Sequence, residues 1–147
     1  MTAKELLITC RREKKELLIL AERREQLATS LLPKAMRIKP VSVQESAEQD
    51  PMAKRMAAAV DLDREIDKRM GEMLMHEAEA HRIVKKIKDP RYRQLLTLYY
   101  LSFQNTQGKR LYTWEKVAEK MGYSQQRLFE MIPEAYYALE KVQRKSE

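Results

Sequence analysis

Apolar side chains recur at Ala3, Leu6/Leu7, Cys10, Leu17, Leu20/Ala21, Leu27/Ala28 and Leu31, with one polar turn around Glu13 and Lys14. Steps of three and four residues return to the same side of a helix, so this heptad-like seam predicts one long amphipathic helix from Thr2 to about Leu32. Thr2 suits its cap, because a hydroxyl there accepts from an unpaired first-turn N–H, and Glu5 follows at capping-box distance. Pro33 is expected to help stop the helix, since proline pushes the preceding residue toward extended backbone.

Residues 33 to 51 carry Pro33, Pro40 and Pro51 among small and polar residues with no helical apolar period, which reads as a flexible connection. A second seam follows from Met52 to about Lys88, through Met56, Ala59, Leu62, Ile66, Met70/Met73, Ala80, Val84 and Ile87. At 1.5 Å per residue such a helix would be roughly 55 Å long. Two seams of like period joined by a connection bury their apolar faces either by folding back as an antiparallel hairpin or by pairing between chains. Met56, Met70, Met73 and Met75 would suit an adaptable partner groove, but at helical spacing they are read first as ordinary core.

Asp89 and Pro90 break the second seam and open a third helix, with Asp89 as cap and Pro90 at the first helical position. Leu95, Leu98 and Leu101 or Tyr99 share one side of it, and Arg91 and Arg93 stand at its entrance. Residues 102 to 112, with Asn105, Gly108, Lys109 and Arg110, read as a polar, basic loop.

Thr113 then caps a short helix whose Trp114, Val117, Ala118 and Met121 share a face, and Gly122 ends it where left-handed backbone is often needed. Ser124 caps the next helix at once. Two short helices across Gly122-Tyr123-Ser124 have the turn length of a helix-turn-helix unit. Its crossed helices tolerate only a small side chain at their contact, which Ala118 supplies. Gly122 lies four residues later and Leu128 ten, while Val117, Met121, Tyr123 and Met131 give the apolar positions that the crossing needs. The alternative is a generic helical hairpin in a bundle. Beyond Met131, Pro133 is expected to end or kink the second helix near Ile132, leaving Ala135, Leu139 and Val142 to a separate packing helix with Tyr136 and Tyr137 nearby.

Composition agrees with this all-α reading: three glycines and five prolines among 147 residues dominated by Ala, Leu, Glu, Lys, Arg, Met and Gln, the residues that lose least on entering a helix. Length allows one modest core or a small domain with an elongated appendage, and the pattern divides the chain into a helical hairpin at 1–88 and a second domain at 89–147. The net charge of +7 fits a polyanionic partner. Residues 1–90 carry 19 basic and 16 acidic side chains against 10 and 6 in 91–147, so the shorter part holds the larger excess. Cys10 is the only cysteine, which excludes an intramolecular disulfide and, with no signal peptide, fits a reducing cytoplasm. The longest aliphatic run, Leu17 to Leu20, is too short to cross a bilayer, and a soluble protein is expected.

The segment Asp89 to Leu139 resembles region 4 of sigma-70-type factors, and the whole chain resembles a phage family of sigma-like late-gene activators of the RinA and ArpU type. The resemblance rests on the arginine-rich helix entrance Asp89-Pro90-Arg91-Tyr92-Arg93-Gln94-Leu95-Leu96 and on the stretch Tyr112 to Ser124, with the helical extension beyond. These cover about a third of the chain, and the N-terminal hairpin matches in character only. The resemblance implies a sigma region-4-like helix-turn-helix that reads promoter or operator DNA in a bacterial host cell, without catalysis or cofactor, and leaves room for contact with RNA polymerase. The helix from Ser124 to Ile132 would enter the major groove, with Ser124, Gln125, Gln126 and Arg127 at its leading end. Glutamine pairs twice with adenine, and arginine with guanine or a phosphate. Glu130 falls on the same side and would repel phosphate unless it accepts from a cytosine amino group. Arg91, Arg93, Lys109, Arg110, Lys116 and Lys120 would grip phosphates on either side. All of these also fit a solvated helical surface.

Two rival readings share the features. In one, a DNA-packaging recognition subunit carries the same motif on a hairpin that builds an oligomeric ring. In the other, a helical adaptor uses the hairpin to bind protein and never touches DNA. Enzymatic chemistry lacks a constellation. His76-Glu77 and His81 resemble a zinc-protease signature, but the histidines are five apart, which turns one imidazole about 140° from the other. Cys10 lies on an apolar seam without a base, and Gly71, Gly108 and Gly122 are too scattered for a phosphate loop.

Overall fold

The computed structural model describes residues 1–36, 50–104 and 110–146; at 31–36 and 146 the backbone alone is described. Five helices follow one another: α1 Ala3–Met36, α2 Pro51–Val84, α3 Pro90–Leu101, α4 Trp114–Met121 and α5 Gln125–Ser146. The extended pairing among the described residues is an isolated antiparallel bridge between Phe103 and Leu111. The fold is all-α, as the sequence pattern requires, and no helix of the described residues is long and apolar enough to cross a membrane.

The chain forms two compact units, one of Met1–Glu16 with Gly71–Glu147 and one of Leu17–Met70. This division does not fall at 88/89, because the two ends of the long helices carry apolar residues that complete the core of α3 to α5. That core joins Leu6, Leu7 and Cys10 of α1 and Ala80 and Val84 of α2 to Leu95, Leu96, Val117, Ala118, Leu128, Met131, Ala135 and Leu139. Ile87, just beyond α2, is buried in the same cluster. It is turned inward by tight bonds in which the N–H of Lys86 donates to Ile83 O at 3.1 Å and that of Ile87 to Val84 O at 3.0 Å. The second long helix therefore stops four residues before the expected Lys88.

Two helices continue through prolines at which they were expected to end. α1 runs past Pro33 to Met36. Pro133 lies inside α5, so no separate packing helix follows it. Leu128, Met131, Ala135 and Leu139 are buried at steps of three and four across it, and Pro133 itself is exposed, so burial on one face outweighs the bond lost on the other. Pro51 opens α2 rather than closing a connection: Asp50 caps the helix by accepting from the Met52 N–H at 3.0 Å, and proline at the first position forfeits nothing. The rest of that connection, 37–49, lies outside the described residues.

The polar turn in the first seam is internal. Lys14 is 2% exposed and its ammonium donates to Glu77 Oε2 at 2.7 Å, with Met73 Sδ at 3.9 Å and the Phe103 ring 4.9 Å away. Beside it Glu13 Oε1 lies 2.7 Å from His76 Nδ1. A polar layer thus replaces apolar contacts where α1 and α2 face each other in this unit. Cys10, fully buried, has its thiol pushed up to about 11 by desolvation first and by the charges of Glu13 and Glu77 next.

The Leu17–Met70 unit is held differently. Leu17, Leu20 and Ala59 are buried, Arg24 Nε bonds Asp63 Oδ1 at 2.7 Å, and Leu18, Leu27, Leu62 and Ile66 are half-buried. Of the methionines read as core, Met56 and Met70 in this unit are exposed, because two helices cover only one stripe of each other, while in the other unit Met73 is buried and Met75 exposed.

Candidate nucleic-acid interface

Local chemistry places α4 and α5 tightly. Asp89 opens α3 by accepting from the Arg91 N–H at 2.9 Å, and Thr113 opens α4 by accepting from the Lys116 N–H at 3.2 Å. Gly122, at φ +78°, closes α4 with its N–H on Glu119 O at 3.2 Å, and the Tyr123 N–H reaches Ala118 O at 2.9 Å, the paired bonds of a left-handed helix end. Ser124 then accepts from the Arg127 N–H at 3.1 Å and starts α5. Each capping residue and the glycine sit where the sequence pattern put them.

The contact between α4 and α5 is made by Val117 and Ala118 on one side and Leu128 and Met131 on the other, all 2% exposed or less. Trp114, Met121 and Tyr123 pack against that cluster partly buried. Trp114 stacks on Tyr99 with centroids 3.6 Å apart and planes 5° apart, and Tyr100 meets both rings edge-on. On α3, Leu96 and Tyr100 are buried with Leu95 and Leu101, while Leu98 is half-buried. The Tyr100 hydroxyl pairs with that of Tyr136, and burial followed by this bond raises its pKa. This aromatic group was not legible as a unit in the sequence, since its rings come from three helices.

The buried stripe of α5 leaves Gln125, Gln126, Phe129 and Glu130 exposed on the outer side of its first two turns, with Arg127 exposed at the flank. Arg127 Nη1 lies 3.4 Å from Glu130 Oε2, so the carboxylate expected to repel phosphate is partnered. Phe129, 52% exposed, lies among these residues and was not named from the sequence. Its position, one helical turn after Gln125, was the available signal.

The expected phosphate grips separate into different roles. Arg93 Nη1 donates to the carbonyls of Ile87 at 2.6 Å and Lys88 at 3.1 Å, closing the turn after α2. Arg91 binds Asp89 at 2.8 and 3.2 Å, and this partner, first through its side chain, holds the Asp89 carboxyl below its ordinary range. Lys116 pairs with Glu119 at 3.2 Å. Lys120 and Arg110 are exposed, and the Arg110 carbonyl accepts from the Gln104 N–H at 2.8 Å beside the Phe103–Leu111 bridge. Lys109, with Asn105 and Gly108, lies outside the described residues. No group of three or more His, Cys, Asp or Glu suited to a metal ion occurs among the described residues. His76 and His81 serve different carboxylates most closely, Glu13 and Glu77.

Compared with protein-family models, with curated proteins and with solved structures, the chain matches none.

Proposed function

We propose that the chain is a non-catalytic DNA-binding regulator, in which residues 113–132 act as a helix-turn-helix and the first two turns of α5 enter the major groove. The observation that carries this reading is the three-residue turn at Gly122-Tyr123-Ser124, which joins a short capped helix to a helix presenting Gln125, Gln126 and Arg127 at its exposed leading end. The first amides of α5 add a positive partial charge there, and glutamine and arginine supply the donors and acceptors that base edges match. The net charge of +7 supplies the general attraction to a polyanion. The sigma-like resemblance of Asp89 to Leu139 makes transcription of phage or prophage genes the setting, with RNA polymerase as a second partner. Replacing Gln125, Gln126 and Arg127 together by Ala is expected to abolish preference for a specific duplex while leaving the fold intact; unchanged affinity and preference would remove this surface from the account.

One observation favours a second reading. Met56, Val60 and Met70 expose large apolar side chains on α2 within the Leu17–Met70 unit, which suits self-association through the long helices. A ring of many copies in light scattering would assign the chain to DNA packaging; a monomer or dimer keeps it with regulation.

A further inference from the structure

A cleft of about 520 Å³ lies between the turn that follows α2 and the C-terminal half of α5. Its α5 wall is made by Ala138, Lys141, Val142 and Lys145, at steps of three, one and three that fall on one helical face. The opposite wall is the run Lys86 to Asp89 with the Tyr92 ring. The floor is apolar: Ile87 is 2% exposed, and Ala138 and Val142 are partly buried against the core. Lys88, Lys141 and Lys145 stand on the rim, and the carboxylate in the lining, Asp89, is bound by Arg91 through both its backbone and its guanidinium.

The walls are held in place before any ligand arrives. Arg93 clamps the carbonyls of Ile87 and Lys88, and the Tyr92 hydroxyl donates to Glu134 at 2.7 Å, fixing the ring against α5. A preformed concave site of this size, with an apolar floor and a few polar groups, is what small-molecule recognition uses. Lysine stems lie along apolar surface while their ammonium groups stay in water, so the rim offers charge to a head group and the floor takes a hydrocarbon body.

We infer that this cleft binds a small amphipathic anion: one carboxylate or sulfonate on an aromatic or short aliphatic body. The site is independent of the DNA reading. Gln126 and Val142 are 16 positions apart, roughly 24 Å along α5, so an occupant bridges α5 to the turn after α2 without covering the outer face of its first turns.

The test uses the full chain and 2-naphthoate, followed by amide shifts in NMR, with neutral 2-naphthamide as the comparison. Binding is expected to move the amides of Ile87, Tyr92, Ala138 and Val142, with the amide compound at least tenfold weaker. The exposed double variant Lys141→Glu/Lys145→Glu is expected to lose at least tenfold in naphthoate affinity, while Lys68→Glu, on the other unit, retains it. Absence of binding at millimolar naphthoate overturns the proposal, as do equal affinities for the acid and the amide or an unchanged double variant. Shifts of these amides on adding duplex DNA but not naphthoate would make the rim a phosphate grip and overturn it too.

Discussion

The two compact units are built from the same two long helices, yet they bury very different amounts. In the unit of Met1–Glu16 with Gly71–Glu147, an 18-residue apolar cluster forms where α3, α4 and α5 close over the ends of α1 and α2. In the unit of Leu17–Met70 the buried apolar residues among those described are Leu17, Leu20 and Ala59. A helix needs neighbours on more than one side to bury a wide apolar face, and two helices alone offer each other a narrow seam. The same sequence period therefore produces a core in one place and an exposed apolar stripe in the other. Specific function is expected where shape is fixed, on α4 and α5, and association where apolar surface is left over.

The largest effects should separate the units by stability. Leu128→Ala, at a fully buried position, is expected to cost about 2–5 kcal/mol in denaturant unfolding, whereas Leu27→Ala, half-buried in the other unit, should cost about 1 kcal/mol. Equal losses would mean that both units are equally well packed in solution. Lys14→Ala should cost about 3 kcal/mol, because it removes the ammonium 2.7 Å from the Glu77 carboxylate, which is 17% exposed, and leaves His81 at 3.5 Å as its remaining partner. Lys14→Met combined with Glu77→Gln should recover most of that loss, and a double-mutant cycle measures the coupling.

Alkaline pH sharpens the contrast further. The Cys10 thiol has a pKa of about 11 in the fold against an ordinary 9.0, so between pH 9 and 11 the unfolded chain has lost a proton that the native state keeps. Stability from this group is complete below pH 9 and falls as pH rises to about 11, by roughly 2–3 kcal/mol. Unfolding of Cys10→Ala measured over that window should lack this component. The smallest effect belongs to the exposed stripe: Met56→Lys with Val60→Lys should alter unfolding free energy by no more than about 0.5 kcal/mol. If the long helices join copies of the chain, the same pair should lower the molecular mass seen in light scattering.

The punctuation of the fold was legible because caps and turns act over three or four residues. Asp89, Thr113, Gly122 and Ser124 each need only their neighbours to do their work, and each is found doing it. Pro133 does not end α5, because its local penalty is outweighed by the burial that a continuous helix gains from distant partners. Lys14 looked like an interruption of the seam because its partners, Glu77, Met73 and Phe103, lie about 60 to 90 positions away in the chain. Met56, Met70 and Met75 have core spacing, and no period in a sequence tells how many helices will cover a face. At the candidate interface, Gln125, Gln126 and Arg127 were readable from their place after a cap. The bonds of Arg93 to two backbone carbonyls were not, since they depend on how the turn after α2 folds.

DNA reading by the first turns of α5 is tested most directly by affinity selection of random duplex DNA by the purified full chain, followed by salt titration of its binding to the selected and to unrelated sequences. A defined enriched site, salt-sensitive binding to it, and loss of the enrichment when Gln125, Gln126 and Arg127 are replaced by Ala are expected. No enrichment, with weak binding that fades alike for every duplex, would contradict this reading.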